Sequence, residues 1–158
     1  MQIPNNALVV VADGRRMLFL RNAGDEEFPN LQVEVVREQE NPSTAEQGTD
    51  EPGSAFSNPG SGHQGSSFGG GASHRSGYEQ TDFHQLEEDR FAGETAELLK
   101  KRALKNGFDK LIVVAPPRTL GELRKHYHKT VEQRIVGEVN KDLTTHPVSE
   151  IEAIIRSV

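Results

Sequence analysis

Nine of the ten basic side chains at positions 100–134 are the residues of this sequence best suited to bind an anion. They are Lys100, Lys101, Arg102, Lys105, Arg118, Arg124, Lys125, Lys129 and Arg134. Lys and Arg bind nucleic acids mainly through phosphate groups, and a nearby aromatic ring can stack on an unpaired base. Because Tyr127 lies among these cations, the segment predicts an RNA-binding surface. The alternative is a solvated helix face with Tyr127 in the core.

Carboxylates offer a second kind of chemistry, that of a two-metal nuclease. Such an enzyme holds Mg²⁺ on clustered acids, and Asp13, Glu88 and Glu94 are candidate ligands. The position that should complete the set holds Ala115 followed by two prolines, and no acid stands there. We therefore expect Asp13 to be a turn residue and the glutamates to face solvent or to cap a helix.

The six histidines do not predict a metal site either. His126 and His128 are two positions apart, so on a helix their side chains diverge by about 200°. His63 and His74 lie in a Gly/Ser-rich stretch, where holding a metal would cost ordering entropy. We expect no metal and no other cofactor.

The element that must position these residues is the apolar run Leu111–Ala115. It is too short for a helix and rich in β-branched residues, so it predicts a strand buried on both faces, the central strand of an α/β sheet. Two prolines end it. Thr119 and Glu122 then form a capping-box pattern that predicts a helix start. The crevice at the strand's carboxyl end is where open α/β sheets usually bind ligands, and Arg118 stands there.

Three strands are predicted before this element. Ala7–Ala12 and Met17–Arg21 flank Asp13 and Gly14, which predicts a hairpin. The alternation over 31–36 predicts a third strand with one polar face, and its inward residues would be Leu31, Val33 and Val35.

Between the third strand and the next helix lies a long segment of low hydrophobicity, residues 39–80. Its glycines, serines and prolines cannot bury enough apolar surface to offset chain entropy, which predicts a mobile loop. Asp82, with Gln85 three residues later, predicts the helix start. The buried face of that helix would consist of Ala92, Ala96, Leu99 and Ala103. Gly107 is the expected left-handed residue at its end.

The remaining elements complete an α/β fold. Residues 131–139 predict a fifth strand with Ile135 and Val139 inward, and Pro147 is expected to open a terminal helix. The order β-β-β-α-β-α-β-α is that of the ribonuclease H-like fold, a five-stranded mixed sheet with helices on its faces. We expect a single domain over residues 1–158, with the 39–80 loop inside it.

Composition limits the partners and the compartment. Residues 1–99 hold six Arg and no Lys against 17 acids, whereas residues 100–158 hold 12 basic residues against seven acids. An anionic partner would therefore meet the second part of the chain. Cysteine is absent, and no apolar run reaches the length of a membrane span or of a signal sequence. These features predict a soluble cytoplasmic protein that does not bind a membrane.

Three segments resemble the bacterial host attachment protein family, also described as proteins required for attachment to host cells. They are FAGETAELL (Phe91–Leu99), LIVVAPPRTLGELR (Leu111–Arg124) and EVNKDLTTHPVSEIE (Glu138–Glu152). They occur in the family's order, and the resemblance extends over nearly the whole chain except the loop. The family name describes a phenotype, so it implies a role in attachment without implying a chemistry.

That family resembles, more distantly, the middle domain of archaeal and eukaryotic peptide-chain release factors. There a Gly-Gly-Gln tip, on the loop between the third strand and the first long helix, approaches the peptidyl-tRNA ester. The loop here contains Gly62, His63 and Gln64 at the corresponding place. A Cβ at the second position restricts the backbone that the tip requires, and we expect no codon-reading or partner-binding domain to accompany it.

Three functions follow from these observations. The first is a non-catalytic binding domain that contacts tRNA, the ribosome or another anionic partner, including a protein, through the basic segment and the loop. The second is a release-factor-like hydrolase of peptidyl-tRNA that uses Gln64. The third is an indirect role in attachment to host cells. We expect the first, a protein that is not an enzyme.

Overall fold

The structure is a computed structural model that describes residues 1–39 and 66–158, with side chains described for residues 1–39 and 82–158. The elements in chain order are β1 (Leu8–Ala12), β2 (Arg16–Asn22), β3 (Leu31–Glu38), α1 (Ser66–Leu104), β4 (Leu111–Ala115), α2 (Pro117–His126), α3 (Lys129–Glu132), β5 (Ile135–Asn140) and α4 (Val148–Ser157). The chain divides into two compact units, one of residues 1–39 and 88–158 and the other of residues 40–87. In the described part of the second unit, which is the N-terminal portion of α1, the rings of Phe83 and His84 meet edge to face.

One mixed sheet forms the centre of the first unit. Its strand order is β3-β2-β1-β4-β5, with β1–β2 and β2–β3 antiparallel and β1–β4 and β4–β5 parallel. Every residue of β1 and of β4 is buried, as the apolar runs predicted. The middle strand is β1, whereas Leu111–Ala115 lies beside it, so the prediction of a central strand there was wrong by one position. The antiparallel strands β2 and β3 extend the sheet on one side of β1, and the parallel strands β4 and β5 extend it on the other.

Helices cover both faces of the sheet. On one face, α1, α2 and α3 pack over β1, β2 and β4, and their buried residues are Phe91, Ala92, Ala96, Leu99, Ala103, Leu120, Leu123 and Val131. On the other face, Ile151 and Ile155 of α4 pack against Val9, Ile112 and Val114. The buried face of α1 is the predicted one. The five-stranded mixed sheet with helices on its faces confirms the predicted α/β fold of ribonuclease H-like order.

The long helix differs from the prediction at both ends. α1 begins at Ser66 and not at Asp82, so residues 66–80 of the predicted loop are helical; the rest of that loop, residues 40–65, lies outside the described residues. No proline occurs between Pro59 and Pro116, so nothing sterically prevents the helix from extending upstream of Asp82.

At the C-terminal end of α1, Asn106 adopts the left-handed conformation (φ 54°) predicted for Gly107. The Gly107 amide donates to the Arg102 carbonyl (2.7 Å) and the Asn106 amide to the Ala103 carbonyl (2.9 Å). This is the Schellman arrangement, in which Asn can replace Gly as the left-handed residue.

The predicted capping box of α2 is also wrong. The helix begins at Pro117, with Pro116 as its N-cap and no side-chain cap hydrogen bond. Proline at the first helical position has the φ that a helix needs and lacks the amide that would be unpaired there, so the helix starts before Thr119. Glu122 instead accepts a hydrogen bond from Lys125 (2.7 Å).

Two bulges change which side chains share a face. In β5, Ile135 pairs with Leu111 and Gly137 with Ile112, which leaves Val136 as an extra residue. Ile135 and Val139 therefore pack on opposite faces of the sheet and not together as predicted. The strand is also shorter than predicted, because residues 129–132 form α3.

The second bulge is in β3, where Leu20 pairs with Val33 and Phe19 with Val35, so Glu34 is extra. Leu31 packs beneath α4, whereas Val35 packs on the α1 side, which corrects the predicted common face.

Among the helices that the structure describes, none has the length and apolarity needed to cross a bilayer.

Candidate functional site

The nine predicted cations divide into those used inside the fold and those left free to bind a partner. Arg134 is used inside the fold, since its guanidinium donates to the carbonyls of Ala103 (2.8 Å) and Phe108 (3.0 Å) and lies over the Phe108 ring. These contacts fasten the start of β5 to the C-terminal end of α1. Arg134 is therefore a structural residue, and its predicted role in RNA binding has no support in this geometry.

Arg102 is used in a similar way. It donates to Glu34 Oε1 (2.6 Å), and its guanidinium lies 4.9 Å from the centre of the Phe19 ring. Arg21 contacts the same carboxylate, at 3.2 Å. Burial raises the pKa of Glu34, but the hydrogen bonds from Arg21 and Arg102 outweigh it, so the pKa lies below its usual value.

Two further cations have acidic partners at the surface. Arg124 pairs with Glu138 (2.8 Å) and Lys125 with Glu122 (2.7 Å). The hydrogen bond that Arg124 donates to Glu138 raises the pKa of Arg124, and the one that Lys125 donates to Glu122 raises the pKa of Lys125. Their charges are partly compensated, so these two residues are weaker candidates for phosphate contacts than unpaired cations would be.

Five of the nine cations make no hydrogen bond or ion pair with the described residues. They are Lys100, Lys101, Lys105, Arg118 and Lys129. Lys100 and Lys101 lie in the last turns of α1, and Lys105 follows its last residue, four positions after Lys101. Lys129 begins α3. We call Lys100, Lys101, Lys105 and Lys129 the unpaired cation group.

Tyr127 does not form the predicted stacking platform. It is half-buried and packs against the core beneath α1 and α2, and its hydroxyl is buried without a hydrogen-bond partner in the described part of the chain. Burial raises the pKa of the phenol well above its usual value. The alternative interpretation, with Tyr127 in the core, is therefore the one that the structure supports.

A cleft of about 300 Å³ opens at the carboxyl ends of β1 and β4. We call it the carboxyl-edge cleft; it is lined by Asp13, Gly14, Arg15, Glu88, Pro116, Arg118, Thr119 and Asp142. From β1 the chain builds the sheet outward through β2 and β3 on one side and through β4 and β5 on the other. The cleft therefore lies at the topological switch point, as predicted for the crevice beside Arg118. Two larger depressions elsewhere, of about 450 and 390 Å³, both have Glu26 and Glu27 in their linings.

The acids of this cleft are not arranged as a metal site. Asp13 Oδ1 accepts hydrogen bonds from the amides of Arg15 and Arg16, both at 2.7 Å, and Oδ2 accepts one from the Thr144 hydroxyl at 2.7 Å. Asp13 is thus a turn residue, as expected. Glu88 lines the same cleft, where it packs against Gly14, but no group of three or more His, Asp or Glu in the described part of the chain could hold a metal ion.

The two predicted histidine neighbours serve separate purposes. His128 Nδ1 accepts a hydrogen bond from the Thr130 amide (3.1 Å) and caps α3, whereas His126 lies beside Gly93 of α1. Gly62, His63 and Gln64 lie outside the described residues, so the predicted release-factor-like tip stays a prediction.

Sequence reasoning missed three residues of this region. Arg15 and Asp142 line the cleft, and buried Thr144 holds Asp13 from 131 positions away. Asp142 follows the carboxyl end of β5, and that position was a usable signal because parallel strands end at one edge. Thr144 had no local signal, since its partner is distant in the sequence.

Comparison with known proteins identifies the family. A model of bacterial archaeo-eukaryotic release factor family 12 matches residues 6–155 of the chain. Because the match extends over nearly the whole sequence, including every strand, the chain belongs to this family. A search of curated proteins found no match. The family supports the predicted resemblance to release factors and carries no information on attachment to host cells.

Proposed function

We propose that this release-factor-family domain is a non-catalytic RNA-binding module whose contact surface is the unpaired cation group. The observation that carries the proposal is the division of the cations. Four of the nine are used in ion pairs or in bonds to backbone carbonyls, while Lys100, Lys101, Lys105 and Lys129 have no described partner. An unpaired lysine can contact a phosphate without first breaking an internal ion pair.

The proposed partner is tRNA or ribosomal RNA. Membership of a release-factor family favours an RNA of the translation apparatus, and this partner would place the protein in the cytoplasm. The net charge of −6 opposes non-specific binding, so binding should depend on the local concentration of lysines near the end of α1. Attachment to host cells, which the first resemblance implies, would on this proposal be an indirect consequence of that binding.

The test compares two variants that each remove two positive charges. Lys101→Gln with Lys105→Gln removes two members of the unpaired cation group, whereas Lys110→Gln with Lys141→Gln removes two exposed lysines elsewhere. Affinity for fluorescently labelled tRNA is measured by anisotropy over a series of salt concentrations. Each lost phosphate contact should reduce the slope of log K against log salt by about 0.7–0.9.

We expect the first variant to lower that slope by roughly 1.5 and to weaken binding, and the control variant to leave both nearly unchanged. Equal effects of the two variants would mean that the lysines act only through net charge. That result, or the absence of any tRNA binding by the wild-type chain, would refute the proposed surface.

A further inference from the structure

The carboxyl-edge cleft contains a side-chain hydroxyl without a partner among the described residues. Thr119 lines this cleft and is only 8% exposed, yet its side chain makes no hydrogen bond with any described residue. The Thr119 hydroxyl oxygen is not one of the fully buried atoms that lack a partner, so it is open to the cleft, where water or a ligand can bond to it. This hydroxyl does not cap α2, and the cleft is the space it faces.

Two backbone donors accompany the hydroxyl. Thr119 is the third residue of α2, and the amides of Arg118 and Thr119 precede the first amide bonded to the chain, that of Leu120, which donates to the Pro116 carbonyl. The amides at the beginning of a helix have no partner within it and carry partial positive charge. The Thr119 hydroxyl and these two amides therefore form a compact set of donors at one wall of the cleft.

Two guanidinium groups are available at the same cleft. Arg15 and Arg118 are both exposed, and neither side chain makes a hydrogen bond or ion pair with the described residues. Arginine binds phosphate through two parallel N–H groups, which a lysine cannot do. The Thr119 hydroxyl, the two amides and the two guanidinium groups make five donor groups. Such a set suits an anion with several oxygens, such as a phosphate, better than it suits a single carboxylate.

The acids of the cleft restrict which anion fits. Glu88 and Asp142 would repel a chain of consecutive phosphates, but each carboxylate can accept a hydrogen bond from a ligand hydroxyl. A volume of about 300 Å³ is at the lower end for ligand pockets, enough for a phosphate and an attached sugar.

From these observations we propose that the carboxyl-edge cleft binds a terminal phosphate monoester on a hydroxyl-bearing group such as a ribose. Thr119, the helix amides and the two arginines would hold the phosphate, and Glu88 and Asp142 would accept bonds from the sugar hydroxyls. A free nucleoside monophosphate and the phosphorylated end of an RNA strand both present this chemistry. The site is separate from the unpaired cation group.

The test is an NMR titration of the ¹⁵N-labelled full chain with adenosine 5′-monophosphate, with adenosine as the comparison. We expect saturable shifts of the Arg118 and Thr119 amides with the monophosphate and none with adenosine. Thr119→Val keeps the shape of the side chain and removes the hydroxyl, and Arg118→Gln removes the guanidinium at an exposed position. Each should weaken binding about tenfold, whereas Lys110→Gln, at the opposite edge of the sheet, should not.

The absence of shifts at Arg118 and Thr119 with millimolar monophosphate, or equal shifts with adenosine, would overturn the proposal. A short RNA with a 5′-phosphate, compared with the same RNA ending in a 5′-hydroxyl, distinguishes the two sources of the phosphate. The Lys101→Gln, Lys105→Gln variant leaves the cleft intact, so failure of the tRNA surface and failure of the phosphate site would be separate results.

Discussion

Arg134 provides the sharpest test of the division between structural and binding cations. Its guanidinium makes two short hydrogen bonds to the carbonyls of Ala103 and Phe108 and a longer one to Asn106 Oδ1 (3.3 Å). Replacement by Gln removes the group that joins α1 to β5 and leaves both carbonyls without this donor. A hydrogen bond to a charged group contributes about 1.5–3 kcal/mol, and the contact with the Phe108 ring adds about 0.5 kcal/mol.

Because Arg134 is only half-buried, we take the lower end of that range for the two short bonds and discount it for water competition. The expected loss for Arg134→Gln is then about 2–3 kcal/mol, or a fall in Tm of roughly 5–10 °C for a domain of this size. Arg134→Lys keeps the charge but cannot reproduce the planar fork, so it should fall between the wild type and Arg134→Gln.

The assay is thermal and urea unfolding of the two variants, with Lys129→Gln as the control, because that exposed lysine has no described partner. At a temperature where all of them are folded, Arg134→Gln should bind tRNA as the wild type does. A Tm within 2 °C of the wild type, together with weaker tRNA binding, would refute our assignment and return Arg134 to the binding surface.

Two further predictions concern the sheet and the segment outside the described residues. In hydrogen exchange, the amides of Leu111–Ala115 and of β1 should be among the slowest in the protein, because every residue of both strands is buried; exchange as fast as that of residues 25–27 would contradict the sheet order. Incubation with ribosome-bound peptidyl-tRNA should show no hydrolysis by the wild type or by Gln64→Ala, since His63 carries a Cβ where the release-factor tip has glycine. We expect none from His63→Gly either, because the proposed role is non-catalytic. Hydrolysis by the wild type that disappears in Gln64→Ala would show that the protein is an enzyme.

The parts of the fold that were predictable are those encoded by nearby residues. The apolar runs of β1 and β4 and the three- and four-residue spacing of the buried face of α1 were sufficient to place the sheet and its longest helix. The bulges at Glu34 and Val136 were not predictable, because a single extra residue leaves the local pattern of side chains unchanged while it reverses the face of those that follow.

The candidate sites were predictable only as far as residue type. Nine candidate cations could be chosen from one segment, but their availability depends on distant partners such as Glu34, which is 68 positions from Arg102. The crevice beside Arg118 was expected from the strand and the prolines, whereas the contribution of Thr119 depended on where the helix began. The observed N-cap, Pro116, lies three residues before the predicted one, and this offset converts a predicted cap into an unpartnered hydroxyl.

The two prolines after β4 explain why this fold favours an anion where a two-metal nuclease would hold cations. The end of β4 is a position at which such a site would need a carboxylate, and the chain has Ala115, Pro116 and Pro117 there. Pro117 starts α2 immediately, so the edge of the sheet receives helix amides and the Arg118 side chain in place of an acid. The remaining acid at the end of β1, Asp13, is already bonded to two amides and to Thr144. The carboxylate after β4 is thus absent, and the Asp13 carboxylate already accepts three hydrogen bonds. The amides at the start of α2 and the Arg118 side chain have no acceptor among the described residues. The charge balance of the cleft shifts toward binding a single phosphate group, and this follows from the turn sequence after β4 together with the bond that Thr144 donates to Asp13.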